Sequence, residues 1–119
     1  MILPQLDRAK PQMLLISFGF DAHFLDPLGN LQLTGRGYYR LIRQLKTWAA
    51  DHCQGRISLF LEGGYDLRAG RICGGAAAAA LLDEDWQDPL EPPLQPENNA
   101  WRGVIMKAVE QLKQSGGGS

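Results

Sequence analysis

The sequence has no excess of basic residues. Twelve Lys and Arg stand against thirteen Asp and Glu, a formal net charge of −1. Without a polybasic cluster, nothing in the composition favours a nucleic-acid partner or an anionic membrane. Cysteine is equally sparse. Cys53 and Cys73 are the full set, and both fall in helix-like segments. They read as free core thiols rather than a disulfide or a metal pair, which suits a reducing, cytoplasmic setting. Long apolar runs are missing too. The longest, around GGAAAAALL, is far short of the roughly 20 residues a membrane span needs. The apolar part of MILPQLDRAK is too short for a secretory signal. The expectation is a soluble chain with no nucleic-acid and no membrane partner.

What is present is organised as one small domain of 119 residues. MLLISFG (13–19) and ISLFLEGG (57–64) are continuous apolar runs ending in glycine. Neither alternates cleanly, so each predicts a strand buried on both faces, as in a parallel sheet. Between them, Thr34 can cap a helix running to about Cys53. Its stripe of Tyr38, Leu41, Ile42, Leu45, Trp48 and Ala49 has helical spacing, and Gly55 is placed to stop it. LRAGRICGGAAAAALL (67–82) predicts a second helix, whose small residues allow close packing. DEDWQDPLEPPLQPENN holds four prolines and predicts a surface connector over about 83–97. A last helix over about 98–114 has Trp101, Val104, Ile105, Ala108, Val109 and Leu112 on one stripe. Trp48, Trp101 and Met106 are expected in the core. SGGGS (115–119) reads as a flexible tail.

Strand, helix, strand in this order implies a right-handed crossover and two parallel strands. Both strand exits then lie on one sheet edge, where ligands bind in open α/β sheets. Those exits are FGFDAHFLDPLGN and EGGYD. Two parallel strands alone are not a stable sheet, and open edges invite association. The chain therefore reads as part of a larger α/β sheet, completed by further chain or by a partner.

The first exit offers Asp21, His23 and Asp26, the last restrained by Pro27. Carboxylate and imidazole are ordinary metal ligands. The alternative is a turn, with Asp21 capping amides and Asp26-Pro27 shaping the loop. The second exit offers Tyr65, a phenol able to donate to a developing oxyanion, or simply a half-buried aromatic. Glu62 reads as a strand-end acid bonding nearby amides. Gly63 and Gly64 read as turn formers, or as room for a substrate to approach. His52 sits where a helix dipole favours it.

PQMLLISFGFDAHFLDPLGNLQLTGRGYYRLIRQL followed by GRISLFLEGGYDL resembles the histone deacetylase superfamily over roughly residues 3–82. The FLEGGY form is similar to the class II and bacterial branch, which includes acetoin-utilisation and acetylpolyamine amidohydrolase-like members. The resemblance implies a three-layer α/β/α, arginase-like parallel sheet, of which 1–114 would be a β-α-β-α part plus a terminal helix. It implies zinc-dependent hydrolysis of an acetyl-amine amide, with acetyl-lysine or acetylpolyamine as substrate. It makes Asp26 of LDPLG one of three zinc ligands and Tyr65 the residue that polarises the acyl carbonyl. Leu33 becomes a channel wall, and Gly63 and Gly64 its floor. Asp21 and His23 belong to the GFDAH signature without being zinc ligands.

The family's other Asp and His ligands and its paired histidines lie upstream of the matching segment. His23 and His52 are the only histidines here, and neither sits in such a motif. The chain is therefore expected to be inactive alone and to bind zinc weakly, as the C-terminal third of a deacetylase. MILPQL then reads as an internal start, a truncated gene or a cut. The expected partner is a missing N-terminal half, or a second copy covering the open sheet edges. The alternative is a non-catalytic binding or assembly module derived from such an enzyme. A third possibility is an autonomous metal domain built on Asp21, His23 and Asp26.

Overall fold

The structure is a computed structural model that describes residues 2–90 and 100–116. Helix α1 (Ile2–Ala9) precedes strand β1 (Leu14–Phe18), helix α2 (Gly35–His52), strand β2 (Ile57–Leu61), helix α3 (Leu67–Leu82) and helix α4 (Ala100–Ser115). The strands pair in parallel, from Leu14 opposite Ile57 to Phe18 opposite Leu61. The α/β architecture is thus the expected one, with α1 as an addition. Pro4 obscures α1 in the sequence, yet a first turn tolerates proline because its N–H has no helical acceptor there.

The caps explain where α2 and α3 begin and end. Thr34 is extended, and its hydroxyl accepts the Gly37 amide at 3.1 Å, opening α2. Gln54, left-handed at φ +57, turns the Gly55 amide back onto the Ala49 carbonyl at 2.9 Å, closing it. Asp66 opens α3 by accepting the Arg68 and Ala69 amides, each at 2.9 Å. Asp83 closes it in the left-handed conformation and takes an ion pair from Lys46.

Both long helices pack on one face of the β1–β2 ribbon. Phe18, Tyr38, Ile42, Cys73, Ala76, Ala77 and Ala80 form the larger buried cluster. The alanines of α3 and Gly35 at the start of α2 let the two helices come close. A Cβ on Gly35 would fall 2.5 Å from an Ile72 methyl. Leu14, Trp48, Ala49 and Cys53 form the second cluster, with Leu3 and Leu6 of α1 laid against it. Trp48 is core as expected, and its indole donates to Asp7 on α1 at 2.7 Å. His52, the last residue of α2, stacks on Trp48 at 4.4 Å, with Nδ1 2.9 Å from the Trp48 carbonyl. Cys53 and Cys73 are buried free thiols. Burial raises the Cys73 thiol pKa to about 12.

The expectation that both strands are buried on both faces is corrected. Leu15 is 65% exposed and Phe60 54% exposed. In a parallel register, paired residues share a face, so Leu15, Ser17, Ser58 and Phe60 line one uncovered surface. Helices α2 and α3 both sit on the other side. Met106 is also corrected: it is 64% exposed, as Val104 is at 68%. The α4 stripe of Val104, Ile105, Ala108, Val109 and Leu112 adds nothing to either buried cluster. The Trp101 side chain and residues 91–99 of the expected connector lie outside the described residues. Ser115, expected in the tail, ends α4, and 117–119 are not described. No helix among the described residues is long and apolar enough to cross a membrane.

Candidate functional site

The two strand exits stay hydrogen-bonded beyond the strands. The Glu62 amide donates to Phe18 O at 3.1 Å, and the Phe20 amide to Gly63 O at 3.0 Å. The β1 exit then folds on itself. His23 N donates to Phe20 O and Asp26 N to His23 O, at 3.1 and 2.9 Å. Leu33 N returns to Ala22 O, and Phe24 N to Leu33 O, each at 3.0 Å. This short parallel bridge between His23 and Leu33 closes the loop and presents Asp26 toward β2.

Asp26 is 6% exposed, and its carboxylate accepts three backbone amides. Oδ1 takes Leu28 N at 2.9 Å and Gly29 N at 3.0 Å. Oδ2 takes Tyr65 N at 2.9 Å, across 39 positions of sequence. The Tyr65 amide contributes most to holding this carboxyl below its ordinary pKa; burial opposes it, and the Leu28 and Gly29 amides add to it. The two segments singled out in the sequence therefore meet, through one carboxylate. Tyr65 itself is 71% exposed, so its phenol stands open at this edge rather than half-buried.

His23 is fully buried and stacks on Phe24 at 4.5 Å. Its Nδ1 accepts the Leu25 amide at 3.2 Å, which places the imidazole hydrogen on Nε2 in the neutral ring. Nε2 has no hydrogen-bond partner. Burial lowers the His23 pKa against the raising effect of Asp88 and Asp66. With one nitrogen accepting and the other protonated, this ring has no lone pair left for a metal. Asp21 is exposed and, among the described residues, caps no amide. Its carboxylate lies beside Gly19 and Gly63. Glu62 bonds the Ser17 hydroxyl at 2.6 Å rather than nearby amides. Leu33 is half-buried and packs against the larger cluster.

Zinc in hydrolases takes three protein ligands and keeps one position open. Among the described residues, no three of His, Cys, Asp and Glu converge on one point. A carboxylate offers about four lone-pair positions. Three are used at Asp26, so one remains, on Oδ2. The residues present do not fit a zinc site by themselves. A concavity of about 500 Å³ beside the start of α2, lined by Arg36, Tyr39, Arg40, Trp86, Gln87 and Asp88, includes neither Asp26 nor Tyr65.

Three supporting residues were not among those the sequence assigned to the site. Tyr38 donates its hydroxyl to Gly19 O at 3.0 Å and braces the β1 exit; burial raises its pKa to about 12. Asp66 had a signal, an acid just before an apolar run. Phe20 had none.

A parallel α/β unit whose two strand exits bring an acid and a phenol to one edge defines the class: part of an open α/β sheet with its candidate site at the carboxyl edge. The comparisons give the family. The model of the histone deacetylase domain matches residues 1–81, and the chain belongs to that family. It is 46% identical over 84 residues to histone deacetylase 14, chloroplastic, of Arabidopsis thaliana, covering 71% of this chain and 20% of that protein. It is 32% identical over 115 residues to a histone deacetylase-like amidohydrolase of Pseudomonas aeruginosa, covering 93% and 30%. The crystal structure of the HDA15 HD domain superposes with a TM-score of 0.69 at 32% identity, covering 95% of this chain and 30% of that one. The chain thus spans less than a third of the length of each of these relatives and carries part of a deacetylase domain.

Proposed function

We propose that this chain is the C-terminal part of a zinc-dependent deacetylase that hydrolyses an acetyl-amine amide, and that it has no activity alone. The observation that carries the reading is the 2.9 Å bond from the Tyr65 amide to Asp26 Oδ2. It joins LDPLG to EGGY at the edge where a substrate would enter. In the assembled domain the Tyr65 hydroxyl would donate to the acyl oxygen as negative charge develops there. Asp26 would be this chain's share of the zinc site. Gly63, Gly64 and Leu33 would border the path of the acetylated amine, an acetyl-lysine or an acetylpolyamine. The remaining ligands and the proton-transfer groups would come from the rest of the domain, in the same polypeptide or another. That remainder is also the proposed partner of the uncovered Leu15 and Phe60 surface. Two free thiols fit a cytoplasmic location.

The test is complementation. This chain is mixed with the remaining segment of the Pseudomonas aeruginosa relative, and release of acetate from an acetyl-lysine peptide is followed. No turnover by either part alone, turnover by the complex, and its loss in Tyr65→Phe are expected. A folded complex without turnover sinks the catalytic reading. It would favour the assembly-module reading, which the uncovered sheet face and the single carboxylate support.

A further inference from the structure

The turn that presents Tyr65 is held from two sides, and only one of them is a motif residue. On one side is the Asp26 carboxylate. On the other is the ring of Phe20, the residue that follows Gly19 at the β1 exit. Gly64 has φ +111, a conformation L side chains rarely adopt. A Cβ there would lie 2.1 Å from Phe20 Cδ2 and 2.5 Å from Cε2. The far end of the same ring meets Gly70, one turn into α3, where a Cβ would lie 2.8 Å from Phe20 Cζ. Phe20 is itself fixed, because its amide donates to Gly63 O and its side chain packs against the larger core cluster. A single aromatic ring thus touches the turn before Tyr65 and the first turn of the helix after it.

We propose that Phe20 is a positioning residue: its ring, seated between Gly64 and Gly70, sets the main-chain path that brings the Tyr65 amide to Asp26 and its phenol to the open edge. The two glycines are then explained by the ring rather than by the substrate alone. The inference rests on the deacetylase reading for what Tyr65 does, but the main-chain part of it does not.

Amide hydrogen exchange on the 119-residue chain tests that part without metal, substrate or partner. In Phe20→Ala, the Tyr65 amide is expected to exchange about tenfold faster, while Leu59 and Phe60 in β2 and Leu28 and Gly29 on Asp26 Oδ1 change by less than about twofold. Phe20→Leu, which keeps bulk beside Gly64, is expected to recover most of the protection and serves if the alanine variant fails to fold. Equal acceleration of all these amides would overturn the proposal and leave Phe20 as ordinary core. In the complemented enzyme, Phe20→Ala is expected to lower kcat about tenfold with little change in KM, and Phe20→Leu to restore most of it. A Phe20→Ala enzyme with unchanged kcat overturns the proposal as well. If complementation gives no turnover for the unaltered chain, the deacetylase reading fails, and the exchange result still decides the role of Phe20.

Discussion

The two faces of the β1–β2 ribbon both carry large apolar residues and live in different surroundings. Leu14 and Phe18 are 5% and 8% exposed, while Leu15, between them in sequence, is 65% exposed. The open face is also the less apolar one, since Ser17 and Ser58 share it with Leu15 and Phe60. On the first side, α2 and α3 supply alanines, Ile42 and Tyr38 that close over the strands. On the second, nothing comparable is supplied among the described residues. The difference teaches that α2 and α3 pack one face, up to the exposed Leu61 at its end, and leave the other open. An apolar surface of this kind on a folded chain marks an interaction site or an association hazard.

The largest effect should come from attacking the packed face. Ile42 is 3% exposed, and Ile42→Ala should lower stability by about 2–5 kcal/mol, measured by urea unfolding. Leu15→Ala, the matched change on the other face, should cost less than about 0.5 kcal/mol. Equal losses would break the comparison, since both faces would then be equally engaged.

Phe60→Lys sharpens the same contrast from the outer side. It should leave unfolding of the isolated chain nearly unchanged, yet weaken association with the remaining domain segment about tenfold or more, as read by titration calorimetry. Unchanged association would remove this surface from the proposed interface.

Acid should act on the buried side next. The folded chain lowers the His23 pKa from its ordinary value of 6.5. Between the lowered value and 6.5, the unfolded chain binds a proton that the folded chain does not. Stability from this group is therefore complete above pH 6.5 and declines as pH falls below it. Asp26 acts in a separate, lower window. Its pKa is depressed from 3.8, so its contribution is present above that pH and fades as pH falls through the depressed value. Unfolding midpoints for His23→Gln should lose the first decline and keep the second. A decline that persists unchanged in His23→Gln would assign it elsewhere.

The smallest of these effects tests a cap rather than a face. Thr34→Ala removes the acceptor for the Gly37 amide and should cost about 1 kcal/mol. Val104→Ala on α4, where the side chain is 68% exposed, should be near neutral. A larger loss would place α4 in a core that its exposure does not show.

Much of the site could be read in advance because its parts obey local rules. The DPLG and EGGY segments end apolar runs, and one crossover helix must bring two parallel exits to one edge. Asp26 and Tyr65 do meet there. What could not be read is the currency of the meeting, a main-chain amide on Oδ2, with the phenol left exposed. The Asp21, His23 and Asp26 metal domain failed for a related reason: the Leu25 amide, close in sequence but placed only by folding, takes the imidazole lone pair. Phe20 carried no pattern at all, since its importance lies in two glycines 44 and 50 positions away that it happens to touch.

By itself the sequence determined the helices α2 and α3, almost to the residue, along with both strands and their parallel order. Periodicity, Thr34 and the closing glycine act over a few neighbouring positions, and such short-range causes are written in the chain. Only the tertiary structure decided that one strand face is packed under α2 and α3 and the other open, that Met106 is outside, and that Phe20 steers Tyr65. Burial and packing are set by which surfaces come together, and no single segment contains that information.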